Sequence, residues 1–183
     1  MSATGRGVTR QKDDFYATPS WVTRAILPRL DNPRSILEPA AGEGAILNVC
    51  RQQWPNAYFG AFEIDPQRAA VCSITNPVVC TNFLAVDSWA LMGRWDLIIT
   101  NPPFKLALPF IRHSLQRALT VCMFLRLNFL GSQKRAPFWR ENPCGVYVLP
   151  KRPSFTGKGT DSTEYAWFIW GAGHANRWAI LDV

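Results

Sequence analysis

The stretch SILEPAAGEGAILNVC (residues 35–50) places two glycines between a short apolar run and an amphipathic one. Residues 35–40 have the length and composition of a buried strand, and the part after Gly44 has the apolar spacing of a helix. Gly42 and Gly44 allow the backbone of the turn to come close to a bound molecule. The stretch therefore predicts a strand, a ligand-binding turn and a helix in succession.

The same alternation continues along the chain. Strands are predicted at residues 35–40, 57–64, 77–83, 95–100, 119–127, 145–150 and 164–171, with 177–183 as a candidate last edge strand. Helices are predicted at residues 19–27, 45–54, 65–74 and 106–119, the first with Thr18 as its N-cap and Pro19 at its first position. This order favours an α/β fold with a mostly parallel seven-stranded sheet, helices on both faces and an antiparallel edge pair formed late in the chain.

Length and composition indicate one domain. The 183 residues are 48% hydrophobic, which allows a sizeable core. Residues 1–13 are polar and basic and are expected to form a flexible tail, and residues 14–183 to form the domain. No secretory signal or membrane-length apolar run is recognised, so a cytoplasmic protein is expected. The five cysteines have no CxxC spacing and the two histidines lack partners at ligand spacing, so no metal site is predicted.

The excess positive charge lies entirely in the second half of the chain. Residues 101–183 carry 11 Lys and Arg against 4 Asp and Glu, whereas residues 1–100 carry nine of each, and the whole chain has a net charge of +7. Such an asymmetry indicates either a polyanionic partner such as nucleic acid or an ordinary solvated basic surface. Charge alone leaves both interpretations open.

The acidic residues around the glycine turn indicate the kind of ligand. Glu63 ends the second predicted strand, 19 residues after Gly44, where an acidic side chain accepts hydrogen bonds from ribose hydroxyls in nucleotide-binding folds. A dinucleotide fits poorly, because Leu47 stands where a third Gly or Ala is expected and Glu38 and Glu43 lie where phosphates would be. The pattern favours a cationic nucleoside without phosphate, and S-adenosylmethionine (SAM), with its sulfonium and ammonium groups, has that chemistry.

A second unusual turn, TNPPFK (residues 100–105), ends the fourth predicted strand. Together with TPSW (18–21), LEPAAGEG (37–44) and FEIDP (62–66), and in this order, it resembles the class I SAM-dependent methyltransferases, and within them the amino-methyltransferases that act on adenine in DNA. The resemblance extends from residue 14 to residue 170. It implies the Rossmann-like methyltransferase fold and SAM as the cofactor.

The resemblance also implies a set of cofactor-binding residues. They are Tyr16, Thr18, Pro19, Glu38, Ala40, Gly42, Gly44, Glu63, Ile64, Asn82 and Phe83. Asn82 stands where the family usually has Asp, so its amide oxygen or the nearby Asp87 would contact the adenine of the cofactor. Phe83 either stacks on the cofactor or belongs to the core.

Catalysis is assigned by the same resemblance to Asn101, Pro102, Pro103 and Phe104. The side-chain oxygen of Asn101 and the carbonyl of Pro102 would accept the two hydrogens of a planar amino group, and Phe104 would support its ring. A base in a duplex must first be flipped out to reach such a site. The residues implied to contact the base or the DNA are Phe155, Lys134, Arg135, Arg140, Lys151, Arg152 and Lys158.

The leading hypothesis is therefore methyl transfer from SAM to the exocyclic amino group of adenine in DNA. A compact phage- or prophage-like enzyme without a separate target-recognition domain is expected. Similar Asn-Pro-Pro-Phe motifs also serve methyl transfer to amino groups in RNA and to glutamine amides in protein, and the RNA alternative stays open. A catalytically inactive nucleic-acid-binding relative is the third reading, which Asn82 favours and the intact catalytic motif opposes.

Overall fold

Eight strands form one sheet in the computed structural model, which describes residues 17–86, 93–155 and 159–183. The strands are β1 (Ser35–Glu38), β2 (Tyr58–Glu63), β3 (Val78–Cys80), β4 (Trp95–Thr100), β5 (Ala118–Arg126), β6 (Gly145–Val148), β7 (Tyr165–Trp170) and β8 (Trp178–Ile180). The helices are α1 (Ser20–Ile26), α2 (Ala45–Gln53), α3 (Pro66–Cys72), α4 (Ala107–Leu115) and α5 (Ala136–Glu141). None of the helices within the described ranges is long and apolar enough to cross a membrane.

The strand order is β3-β2-β1-β4-β5-β7-β6-β8. β1 pairs in parallel with β2 and β4, and β4 pairs in parallel with β5. β7 runs antiparallel to both β5 and β6, which confirms the expected antiparallel pair. β8 pairs in parallel with β6 at the edge, so the candidate strand within residues 177–183 does form and the sheet has eight strands where seven are predicted.

Both faces of the sheet are covered, and the side chains of the central strands alternate between them. Cys122 and Phe124 of β5 pack in the core cluster that includes α1 and α2, whereas Val121 and Met123 pack in the cluster that includes α4 and α5. All four side chains are fully buried. Burial on both faces explains why β5 is a continuous apolar run with no polar alternation.

Helix α1 begins at Ser20, one residue later than the sequence predicts. Its N-cap is Pro19, and no side chain caps the helix, so the prediction that Thr18 is the cap is wrong. The side chain of Thr18 is buried and accepts a hydrogen bond from Asn101 instead. The indole N–H of Trp167 donates to the carbonyl of Val22 at 2.9 Å, which fixes α1 against the sheet.

The basic segment at residues 128–142, for which no helix is predicted above, contains helix α5. Pro137 occupies the first turn of this helix, where the missing N–H costs nothing. Phe138 is buried, and the ring of Trp139 stacks on that of Trp170 with centroids 6.0 Å apart. The helix therefore forms because its aromatic residues pack against β7, a tertiary cause that local sequence does not reveal.

Candidate active site

A cleft opens at the edge of the sheet where β1, β2 and β4 end. Since parallel strands end at the same edge, the turns that follow these three strands meet there. The predicted site residues that line the cleft are Thr18, Glu38, Ala40, Glu63, Ile64, Asn82, Phe83, Asn101 and Pro103. Segments that are far apart in sequence thus converge on one cavity.

The two glycines of the turn after β1 affect the cleft through the path of the backbone. Gly42 and Gly44 have φ values of 54° and 86°, in the left-handed region that residues with a Cβ rarely adopt. A Cβ on Gly44 would also lie 2.9 Å from the side-chain nitrogen of Asn76. Neither glycine lines the cleft itself, so both act through the path of the backbone.

Glu63 joins the first turn to the end of β2. One oxygen of its carboxylate accepts the N–H of Gly42 at 2.6 Å, and the other accepts the N–H of Asp65 at 2.9 Å. The side chain is 6% exposed, with its carboxylate at the cleft. Each carboxylate oxygen has a second lone pair, so the same group can also accept hydrogen bonds from the hydroxyls of a ligand.

Glu38 is the most deeply buried acidic residue of the cleft. It is 2% exposed and accepts one hydrogen bond, from the N–H of Leu47 at 3.3 Å. Burial raises the pKa of Glu38 well above its usual value, and the charge of nearby Glu63 raises that pKa further. A cationic ligand in the cleft would oppose both effects, because it would stabilise the ionised form of the carboxyl.

The cleft also contains residues that the sequence analysis misses. The clearest are Arg68, Thr81, Leu106 and Phe110. Arg68 lies in the first turn of α3, where Asp65 caps the helix by accepting the N–H groups of Gln67 and Arg68. The Asp-Pro pair after Glu63 was a usable signal, because it predicts a helix that starts at the cleft and directs its first turn there.

The residues expected near the adenine of a cofactor differ in exposure. Ile64 is 62% exposed at the cleft, which suits a surface that packs on a ring. The amide oxygen of Asn82 accepts the N–H of Leu84 at 3.0 Å. Phe83 is 2% exposed and packs against Phe110 with centroids 5.2 Å apart, so its ring is part of the core as well as of the cleft wall.

Asn101 and Pro103 of the turn after β4 line the cleft, whereas Pro102 is buried and does not line it. The side-chain N–H of Asn101 donates to the hydroxyl oxygen of Thr18 at 3.1 Å. The carbonyl of Pro103 accepts the N–H of Leu106 at 2.8 Å, whereas no backbone N–H of the described turns and loops donates to the carbonyl of Pro102. The turn thus holds an oriented carboxamide next to a backbone acceptor outside the local hydrogen-bond network.

Phe104, which the resemblance expects to support the target ring, does not line the cleft that contains Asn101. Its ring lies 5.9 Å from that of Tyr165, and the guanidinium carbon of Arg126 lies 4.6 Å from its centroid. Phe155 contacts Tyr165 edge-on, with centroids 5.5 Å apart. Tyr165 is therefore a shared support for both aromatic residues that the resemblance links to the target base.

The predicted nucleic-acid residues lie on two connections, β5 to β6 and β6 to β7. Lys134 and Arg140 are exposed, and Arg135 is half-buried. The ammonium of Lys151 lies 4.6 Å from the ring centroid of Trp21, and Arg152 forms an ion pair with Glu164.

Tyr16, Lys158 and Asp87 lie outside the described residues. Within the described ranges, no group of three or more His, Cys, Asp or Glu side chains could hold a metal ion.

Comparisons with known proteins place the fold among methyltransferases. No protein-family profile matches the sequence. A Type II methyltransferase, M.CvrRI from Paramecium bursaria Chlorella virus XZ-6E, is 29% identical to this chain over an alignment of 99 residues that covers 52% of this chain and 25% of that protein. The match therefore spans about a quarter of the length of the viral protein.

Solved structures resemble this chain over most of its length. PH1948 from Pyrococcus horikoshii, a proposed RNA methyltransferase, superimposes with a TM-score of 0.64 and 14% identity over 92% of this chain and 94% of that one. The 23S rRNA methyltransferase ErmE has a TM-score of 0.62 and 17% identity over 88% of this chain and 71% of its own. The plantazolicin methyltransferase BpumL, in complex with SAH, has a TM-score of 0.56 and 14% identity over 83% and 81%. The chain has the Rossmann-like methyltransferase fold.

The substitution Glu38→Gln is expected to stabilise the protein, and more at pH 8 than at pH 5. Because the folded pKa of Glu38 is raised, the unfolded chain ionises first above about pH 4.3, and the wild-type protein loses up to ~1.4 kcal/mol per pH unit until the folded pKa is reached. Gln cannot ionise, and its oxygen can still accept the N–H of Leu47. Thermal unfolding of both proteins at the two pH values measures the difference.

The matched control for this measurement is Glu141→Gln, which alters an exposed side chain on α5. It should show no gain that grows with pH. A stability difference between Glu38→Gln and wild type that stays constant from pH 5 to pH 8 would show that Glu38 is ionised in the folded protein.

Proposed function

We propose that this protein is a SAM-dependent methyltransferase that modifies the exocyclic amino group of a nucleobase in nucleic acid, with adenine in DNA as the first candidate. The proposal combines the cofactor chemistry of the cleft with the turn that holds Asn101. The observation that carries it is the hydrogen bond from the Asn101 carboxamide to Thr18, because it orients the group that would receive the target.

The cleft suits SAM in shape and charge. Glu63 would accept hydrogen bonds from the ribose hydroxyls, and Ile64 would pack on the adenine. Glu38 and Glu43 also line the cleft, so the side chains around the ligand favour the sulfonium and ammonium groups of SAM and disfavour phosphate. The complex of BpumL with SAH shows that this fold accommodates the demethylated product in a related protein.

The chemistry would need positioning and no covalent intermediate. The amide oxygen of Asn101 and the carbonyl of Pro102 accept the two hydrogens of the target amino group. Both contacts favour a pyramidal nitrogen, whose lone pair then attacks the methyl carbon of SAM. In the proposed transfer an N–CH3 bond would form as the S–CH3 bond of SAM breaks, so that SAM would supply the methyl group and leave as a thioether, and the nitrogen would lose one proton to solvent. Fixed acceptors and close approach supply the acceleration.

The hydrogen bond to Thr18 favours one orientation of the Asn101 carboxamide towards the target. The hydroxyl oxygen of Thr18 accepts from the nitrogen of the carboxamide at 3.1 Å, so the carboxamide oxygen lies on the opposite side of that group. A carboxamide rotated by half a turn would present N–H groups to an amino group, and two donors would then face each other. Thr18 is therefore a positioning residue in this mechanism, which adds a role to the cofactor contact expected from its motif.

Sequence motifs and the comparisons bear on whether the substrate is DNA or RNA. The motif set in residues 18–104 resembles DNA adenine amino-methyltransferases, and the partial match to a viral Type II methyltransferase supports that choice. RNA is the second candidate, because PH1948 and ErmE share this fold over most of the chain. The basic connections at residues 128–142 and 150–164 suit either polymer.

Methyl transfer to four substrates in parallel tests this function. The purified protein is mixed with SAM labelled in its methyl group and with duplex DNA, single-stranded DNA, RNA or protein. We expect label in DNA, and analysis of its nucleosides should yield N-methyladenine. Label in RNA alone would move the function to RNA, label in protein alone would indicate a glutamine amide, and no transfer to any substrate would refute the methyltransferase function.

The role of Thr18 predicts a loss of rate with cofactor affinity retained. Thr18→Val keeps the shape but removes the acceptor, and losing one hydrogen bond of about 1.4 kcal/mol should lower kcat about tenfold. Thr18→Ser keeps the hydroxyl and should restore most of the rate. The control is Thr23→Val on the adjoining helix, because the buried hydroxyl of Thr23 has no hydrogen-bond partner among the described residues.

Kinetics and SAM titrations of these variants separate two roles of Thr18. An unchanged kcat with weaker SAM binding in Thr18→Val would assign Thr18 to the cofactor alone. Equal losses in Thr18→Val and Thr18→Ser would also contradict orientation through the hydroxyl.

A further inference from the structure

A second groove lies beside the catalytic turn and shares no lining residue with the cofactor cleft. It opens between the start of α4, the end of β5 and the connection from β5 to α5. Its lining includes Phe104, Arg126, Asn128, Phe129 and Arg135. Phe104 belongs to the same four-residue motif as Asn101, so the groove adjoins the site of transfer without including it.

Each wall of the groove carries an aromatic ring with a guanidinium on it. The guanidinium carbon of Arg126 lies 4.6 Å from the ring centroid of Phe104, and that of Arg135 lies 4.4 Å from the ring centroid of Phe129. These distances are within the range of cation–π contacts. Alternating rings and flat cations are the surface on which unpaired nucleotides stack.

Both guanidinium groups are held in place by further hydrogen bonds. Arg135 donates from Nε to the carbonyl of Phe129 at 2.7 Å and from Nη2 to that of Asn128 at 3.4 Å. Arg126 donates to the hydroxyl of Tyr165 at 3.1 Å and to the carboxylate of Asp161 at 3.4 Å. Little side-chain entropy then remains to be lost when a ligand binds.

The two arginines differ in how their charge is balanced. Asp161 forms an ion pair with Arg126. Arg135 has no ion pair among the described residues, and the partners found for it are carbonyl oxygens, which leave its full positive charge in the groove. Lys134, its neighbour in sequence, is exposed. The groove therefore attracts an anion at Arg135 and offers planar surfaces next to it.

We propose that this groove binds the nucleotide next to the target base, with Arg135 contacting its phosphate and the arginine-covered rings supporting its base. The inference rests on the proposed function, because it takes a nucleic-acid strand as the substrate. A target amino group at Asn101 would place its own base in the cleft region, and the groove begins at Phe104, three residues further along the same turn. Such a site would let this domain itself bind the nucleotide that flanks the target base.

Binding of fluorescent oligonucleotides, followed by anisotropy, tests the groove without relying on catalysis. Arg135→Gln should raise the Kd about tenfold and reduce the slope of log Kd against log salt by about one, since one phosphate contact is lost. Phe129→Leu keeps every charge and should raise the Kd about five- to tenfold with an unchanged salt slope, because only stacking is lost. Single-stranded DNA, duplex DNA and RNA are titrated separately to identify the polymer.

The matched control is Arg34→Gln, which removes the same charge at the opposite end of the sheet. The side chain of Arg34 is 95% exposed and precedes β1, so its loss should leave affinity and salt slope nearly unchanged. Unchanged SAM binding and thermal unfolding of each variant show that the fold is intact.

The outcomes separate the groove from the function. If Arg135→Gln and Phe129→Leu bind like Arg34→Gln while the wild-type protein still binds and methylates nucleic acid, the groove is not a nucleotide site and the proposed function stands. If the wild-type protein binds none of the oligonucleotides, both the nucleic-acid substrate and the groove site are refuted.

Discussion

The parallel pairing of β1 with both β2 and β4 is the constraint on which the site depends. It brings the ends of three strands to one edge, so that the glycine turn, Glu63 and Asn101 meet although they are far apart in sequence. The hydrogen bonds of Glu63 to Gly42 and Asp65 then lock the first two turns together. Buried core on both faces of the sheet keeps this edge rigid, which is the property a site that works by positioning requires.

Two regions of opposite character lie side by side at this edge. Three acidic side chains line the cleft, those of Glu38, Glu43 and Glu63. Among the described lining residues Arg68 is the one basic side chain, so the charge of the cleft suits a cationic cofactor. The neighbouring groove contains Arg126 and Arg135, which suits a polyanion. Phe104 and Asn101 belong to the turn between them. The two surfaces would suit the two reactants of the proposed methyl transfer, a sulfonium compound and a nucleic acid.

Local patterns predict most of the fold and the convergence of the site, because strand length, glycine turns and motif order are properties of short segments. β4 matches its predicted bounds of 95–100, since its apolar run ends at a turn that no strand can continue through. Features that depend on distant contacts could not be predicted. The bond from Asn101 to Thr18 spans 83 positions, and it replaces the helix cap that the Thr-Pro pair favours. The packing of Arg126 on Phe104 likewise exists only once β5 and the turn at residues 101–104 are adjacent.

The most direct test of the account removes the Asn101 carboxamide and compares methyl transfer with cofactor binding in the same protein. Asn101→Ala should lower the rate of transfer to the preferred nucleic acid about 100-fold or more, because one preorganised group that acts in the transition state is lost. SAM binding, measured by calorimetry, should stay nearly unchanged, since Glu63 and the glycine turn are untouched. Retained transfer in Asn101→Ala would contradict the central role of this residue, and loss of SAM binding would show that Asn101 acts through the cofactor.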